Sequence, residues 1–299
     1  MSALRALLRE SIDYAGLFPP AGLGMAEAVA NYAAYRRGPH AWALGRFVLP
    51  AGRLVELEQA AEDLLPRSPT SDRWRIAALL GADAARELDA VGEFNSRHAA
   101  DGVGAAAVDT VEAKADSPDA VERLLARIPS YLQPYVEIPI GRDPAPLAAA
   151  VASAGGRLKV RTGGVTVDAF PSSADLARFI RAAGDAGVPF KATAGLHHPL
   201  RSEYRLTYEP GGACGTMFGF LNLFLAAAFV RAGGDDDDVA RLLEERDPRA
   251  FRFDGEEVEW RGQRLDQDAI RHARDEVIIS FGSCSFTEPI GDLQSLGLL

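Results

Sequence analysis

Residues 158–198 read LKVRTGGVTVDAFPSSADLARFIRAAGDAGVPFKATAGLHH. Two short apolar segments each carry one lysine, Lys159 in the first and Lys191 in the second, and each runs into a turn of small residues. Between them Ser172 and Ser173 are N-cap candidates. Leu176, Phe179, Ile180 and Ala183 then recur at helical spacing, and Gly184 and Gly187 are stop signals. Strand, helix and strand in about 30 residues is the size of a βαβ unit. The first strand ends at Gly163-Gly164 and the second at Gly195 to His198. Both lysines therefore sit near strand ends, where an α/β protein builds its site.

The same rhythm runs through the chain. Strands are expected at 11–18, 44–49, 75–80, 104–113, 135–140, 158–162, 190–193 and 277–281. Helices are expected at 25–35, 54–65, 84–98, 118–128, 146–154 and 266–274. Alternation of this kind implies a parallel sheet, and eight units over this length match one closed (β/α)8 TIM barrel spanning 1–299. An open doubly wound sheet is the alternative. The rhythm breaks after the seventh strand, so an insert is expected at about 199–262. It would hold a polar, lid-like segment (199–215), a buried helix (217–231) and a hairpin around Asp254-Gly255.

Composition narrows the functional classes. The 299 residues carry a net charge of −10, which argues against nucleic acid as a partner. The longest apolar run, 217–230, is too short and too interrupted for a membrane span. Two cysteines, Cys214 and Cys284, make neither a disulfide framework nor a zinc motif, and a cytoplasmic location fits. No nucleotide-binding glycine loop is present. The expected partner is a small-molecule substrate, with no cofactor or metal. Self-association into a homo-oligomer is left open.

Of 32 basic residues only three are lysine: Lys114, Lys159 and Lys191. All three fall in expected strands or at their ends. Arginine stays protonated at working pH, whereas lysine can lose its proton when its surroundings lower its pKa. The other strand-end candidates are Asp13, Arg46, Asp109, Glu112, Glu137, Arg161, His197, His198, Ser283 and Ser285. If the two strand-end lysines come close, each lowers the pKa of the other, and a neutral amine can attack a carbonyl to form a Schiff base. Asp109, Glu112 and Glu137 could move the protons. Two other readings remain. One is a metal-assisted lyase or hydrolase using His197 and His198. The other is a non-catalytic barrel that binds a small acidic ligand through Lys159, Arg161 and Lys191. Cys284, between two serines, could be a nucleophile, but no triad order is legible, and a buried small residue is the preferred reading.

These strand-end motifs resemble those of deoxyribose-phosphate aldolases. Lys159-Val-Arg-Thr-Gly163 resembles their K-T-S-T-G strand, and Lys191-Ala-Thr-Ala-Gly195 their K-A-S-G-G strand. Ile12-Asp13, Val108-Asp109-Thr110-Val111 and Phe281–Ser285 are similar to their I-D-x-T, V-D-x-V and G-T-S-S segments, in the same order. The resemblance covers short motifs and not the helices. It implies a class I aldolase barrel in which Lys159 is the Schiff-base lysine, Lys191 lowers its pKa and Asp109 serves a proton relay. The chain departs from that pattern at Arg161, which replaces a small residue. It departs again at 195–201, GLHHPLR, where the family grips a phosphate, and in the insert.

Overall fold

The structure is a computed structural model that describes residues 2–67, 73–100 and 103–299. Helix α1 (Ala3–Leu8) precedes β1 (Ile12–Tyr14). Units of helix and strand follow: α2 (Met25–Arg37) and β2 (Leu44–Pro50), α3 (Leu54–Ala61) and β3 (Trp74–Leu79), α4 (Ala84–His98) and β4 (Ala106–Lys114). Next come α5 (Pro118–Leu125) and β5 (Gln133–Glu137), α6 (Ala145–Ser153) and β6 (Arg157–Arg161), α7 (Ser173–Asp185) and β7 (Phe190–Thr193). The chain then departs from the repeat. It makes an antiparallel hairpin, β8 (Ser202–Arg205) with β9 (Cys214–Met217), and helices α8 (Phe220–Arg231) and α9 (Asp236–Glu244). A three-stranded sheet of β10 (Phe251–Asp254), β11 (Glu257–Trp260) and β12 (Gln263–Leu265) comes next, followed by α10 (Gln267–Glu276). Strand β13 (Ile278–Ser283) completes the barrel and α11 (Thr287–Ser295) follows it.

The eight barrel strands are all parallel and close in the order β1-β13-β7-β6-β5-β4-β3-β2. Closure leaves no free sheet edge, and the open-sheet alternative is excluded. The βαβ unit of 158–198 forms as its pattern demands. Ser172 caps α7 by accepting from the Asp175 amide, and Leu176, Phe179, Ile180 and Ala183 are buried. The helix passes through Gly184 and ends beyond it, and Gly187 takes the left-handed turn at φ 63°.

Between β7 and β13, α8 is buried on every side except at its last residue, so its apolar run is core. Among the described residues no helix is long and apolar enough to cross a membrane. Asp235 caps α9 and the next three aspartates fall in its first turn, where they complement the helix dipole. The segment 199–215 is not a structureless loop, because β8 and β9 pair within and beyond it. A hairpin forms around Gly255, with β12 added as a third strand.

Candidate active site

The direction of the strands sorts the candidate residues. Lys159 and Lys191 lie directly across from one another on β6 and β7. Glu112 and Glu137 come from the later turns of β4 and β5, so they face the same end of the lumen. Lys191 Nζ donates to Asp13 Oδ2 at 2.5 Å and to Glu112 Oε1 at 2.7 Å. Lys159 Nζ lies 2.8 Å from Glu112 Oε2 and 2.9 Å from Glu137 Oε2. Strands β4 and β7 are separated by two others, so the Lys191–Glu112 bond spans the lumen. Asp13 is fixed in turn by the Arg46 amide at 2.8 Å and by Ser280 Oγ at 2.7 Å. The result is one buried chain, Asp13–Lys191–Glu112–Lys159–Glu137. Three carboxylates face two ammonium groups.

This arrangement reverses the expected electrostatics. The two lysines share Glu112, which gives one oxygen to each, and the net effect on both is a raised pKa, not a lowered one. Burial disfavours the charge on Lys159, yet Glu112 and Glu137 outweigh it and hold the ammonium above its ordinary value. Lys191 is likewise raised, against burial, by Asp13 and Glu112. Burial alone would raise Glu112. The two lysines instead bring it down to about 2.

A cavity of about 280 Å³ opens above this chain. Glu112, Lys159 and Lys191 form its floor, and Arg161, Thr193 and Gly195 are among its walls. Leu206 and Met217, from the β8–β9 hairpin, line it too. So do Gly282, Cys284 and His197. His197 Nδ1 lies 3.2 Å from Ser283 Oγ, 3.8 Å from Cys284 Sγ and 3.4 Å from Glu288 Oε2. Burial works against a charge on this ring, but Cys284 and Glu288 prevail and lift it to about 9. Tyr208 donates to Glu288 at 3.0 Å and lies 3.6 Å from Cys284 Sγ.

Other candidates lie elsewhere. Asp109 and Arg46 do not join the lysines, because both sit early in their strands and face the opposite end of the barrel. There Asp109 takes Arg46 Nε at 2.6 Å and Arg75 Nε at 2.8 Å. A proton relay through Asp109 to Lys159 is therefore ruled out by position. Lys114 is largely exposed, 3.5 Å from Glu137 Oε1, and lines a separate groove. Ser285 Oγ accepts from the Glu288 amide near the start of α11 and does not line the cavity. His198 does not line the cavity: its ring stacks on Tyr204, its Nδ1 meets Asp292 at 2.6 Å, and its Nε2 lies 3.9 Å from Glu288 Oε1. Among the described residues no cluster of three or more His, Cys, Asp or Glu side chains could hold a metal ion.

Sequence reasoning missed Ser280, Glu288 and Tyr208, and could not place Cys284 beside His197. For Glu288 a local signal existed, since it follows Cys284 by four residues across the β13–α11 turn. Tyr208 had none, because it arrives from the insert. Cys284 is buried as expected, yet it also faces the cavity.

No protein-family model matches the sequence, and no curated protein matches it. Among solved structures, the chain is similar to a nitroalkane oxidase from Streptomyces ansochromogenes. The identity is 18% over 66% of this chain and 62% of that one, with a TM-score of 0.32, too slight a likeness to bear on fold or chemistry.

Proposed function

We propose that this chain is a (β/α)8 enzyme that forms a Schiff base between Lys159 and a small carbonyl substrate, and makes or breaks a carbon–carbon bond beside that carbonyl. One observation carries the reading. The amine on the cavity floor lies within 2.9 Å of two carboxylates, which hold it in place at the cavity. The minor neutral fraction of Lys159, its proton lost to solvent, attacks the carbonyl. The oxygen leaves as water, and the iminium then accepts the electron pair of the breaking bond. Lys159 is the better nucleophile on access, since Lys191 is 1% exposed and locked between Asp13 and Glu112. Arg161 and the His197 imidazolium, both lining the cavity, suit a substrate with an anionic group.

The test is borohydride trapping with small aldehydes and keto acids, followed by peptide mapping. The expected adduct is on Lys159 and is absent from Lys159→Arg, because guanidinium is a poor nucleophile that stays protonated. The pKa of Lys159 is raised, so its reactive neutral fraction grows as pH rises. Trapping should therefore accelerate from neutral into alkaline solution. An adduct on Lys191 would move the role there. No lysine adduct with any compound would sink the reading.

A second reading has its own support. Cys284 Sγ faces the same cavity beside His197, so thiol attack on the substrate carbonyl is an alternative first step. Loss of all turnover in Cys284→Ser, with no reducible adduct in the unmodified chain, would favour it.

A further inference from the structure

The opposite end of the barrel holds a larger cavity, about 790 Å³, that the proposed chemistry does not use. It opens where the barrel strands begin, away from the lysines. Six arginines line it against three carboxylates, on a chain whose overall charge is −10. Two of the three carboxylates are already engaged: Asp109 is shared by Arg46 and Arg75, and Glu10 meets Arg75 at 2.9 Å. Asp275 is the third, and Arg271 pairs with Asp268. Two further arginines have no carboxylate ion pair among the described residues. Arg157 donates to Tyr135 Oη at 3.1 Å and lies over its ring. Arg274 donates to the main-chain oxygens of Ile278, Ile279 and Arg9 and lies over the Phe224 ring, and among the described residues its buried Nε has no hydrogen-bond partner. Burial outweighs the charges of nearby Asp275, Asp13 and Glu10 and depresses its pKa to about 10.

A stabilising plug for the barrel floor would pair its charges, since an uncompensated buried cation costs stability. This cluster leaves cation unpaired around an open cavity of ligand size. Converging guanidinium groups match phosphate oxygens in geometry as well as charge. We propose that the N-terminal face of the barrel is a second binding site, for a small anion carrying multiple phosphate charges. Arg157 and Arg274 supply the unpaired positive charge, and Arg271 stands at the rim. Arg46 and Arg75, held by Asp109, keep the wall rigid.

The probe is inorganic pyrophosphate, titrated calorimetrically into the full chain. The expected result is one bound pyrophosphate per chain, with affinity falling as salt rises. Arg157→Gln with Arg271→Gln should weaken it by about tenfold or more. Arg161→Gln, at the other end of the barrel, should leave it unchanged. Absence of binding up to millimolar pyrophosphate overturns the site. So does binding that is lost in Arg161→Gln and intact in the Arg157/Arg271 variant. Should that variant fail to fold, the native chain answers through arginine modification by phenylglyoxal. Pyrophosphate must slow labelling of Arg157 and Arg271 in mapped peptides, and equal rates with and without it overturn the proposal.

Discussion

Glu112 is the residue on which the site turns. It is 2% exposed, and each of its oxygens serves a different lysine. Replacing it with glutamine would leave two buried ammonium groups with less compensation, at a cost of about 3–5 kcal/mol. Denaturant unfolding of Glu112→Gln measures this, and a loss under 1 kcal/mol would contradict the tight coupling described. The pH dependence follows with a definite sign. The folded-state pKa of Glu112 is depressed from 4.5 to about 2. Its contribution is therefore present above pH 4.5 and lost as pH falls toward 2, amounting to about 3 kcal/mol. Lys191 behaves in the opposite sense. Its pKa is raised above 10.5, so its contribution is full below that pH and lost as pH climbs beyond it. Melting temperature against pH should fall at both ends, and Glu112→Gln should flatten the acid limb. The strand-end position of Glu112 could be read from sequence. Its insertion between the two lysines could not, because that depends on which strands face each other across the lumen.

At the scale of elements, the turns after β6 and β7 shape the cavity wall. Ala194 and Gly195 both take left-handed backbone, at φ 67° and 72°. For alanine this costs roughly 1–2 kcal/mol. Thr162 Oγ1 holds the turn by donating to the Ala194 carbonyl at 2.7 Å. Phe170 fills the space beside it so closely that a Cβ on Gly163 would collide with the ring, and one on Gly195 would lie 2.8 Å from it. Gly163→Ala should therefore destabilise by about 1–3 kcal/mol through overpacking and slow the trapping of Lys159. Adding Phe170→Leu should restore part of both, because the two substitutions share one contact. Equal losses in the single and double variants would show that the ring is not the obstacle. The small residues of these turns were visible in the sequence as turn signals. Their closeness to Phe170 was not, since that ring belongs to the segment between β6 and α7.

Across the whole molecule, the elements between β7 and β13 also secure the beginning of the chain. The Ala3 amide donates to the Gly255 carbonyl at 2.8 Å, and Arg274 reaches the Arg9 carbonyl at the same distance. Leu4, Leu7 and Leu8 of α1 are buried. At about 1.5–3 kcal/mol for each buried leucine, removing residues 2–9 should cost several kcal/mol. Thermal unfolding of the truncated chain measures this, and an unchanged midpoint would mean that α1 packs without contributing. Truncation also removes Arg9 from the edge of the arginine-lined cavity, so pyrophosphate affinity should fall along with stability.

The sequence by itself determined the barrel and the pairing of Lys159 with Lys191 on neighbouring strands. Both follow from local information: hydrophobic period, cap and turn residues, and the one-unit spacing that places successive parallel strands side by side. Tertiary structure alone decided which charges meet. Asp109 and Glu112 lie three residues apart on β4, yet they serve opposite ends of the barrel. The strand is long enough to span the lumen, so position along it selects the face. Because Glu112 lies between the two lysines, they are held protonated, reversing what their proximity had implied. The same geometry gathers arginines from β2, β3, β6 and α10 at the barrel floor. That cluster has no signature in the sequence, because its members are scattered along the chain and meet only when the sheet closes.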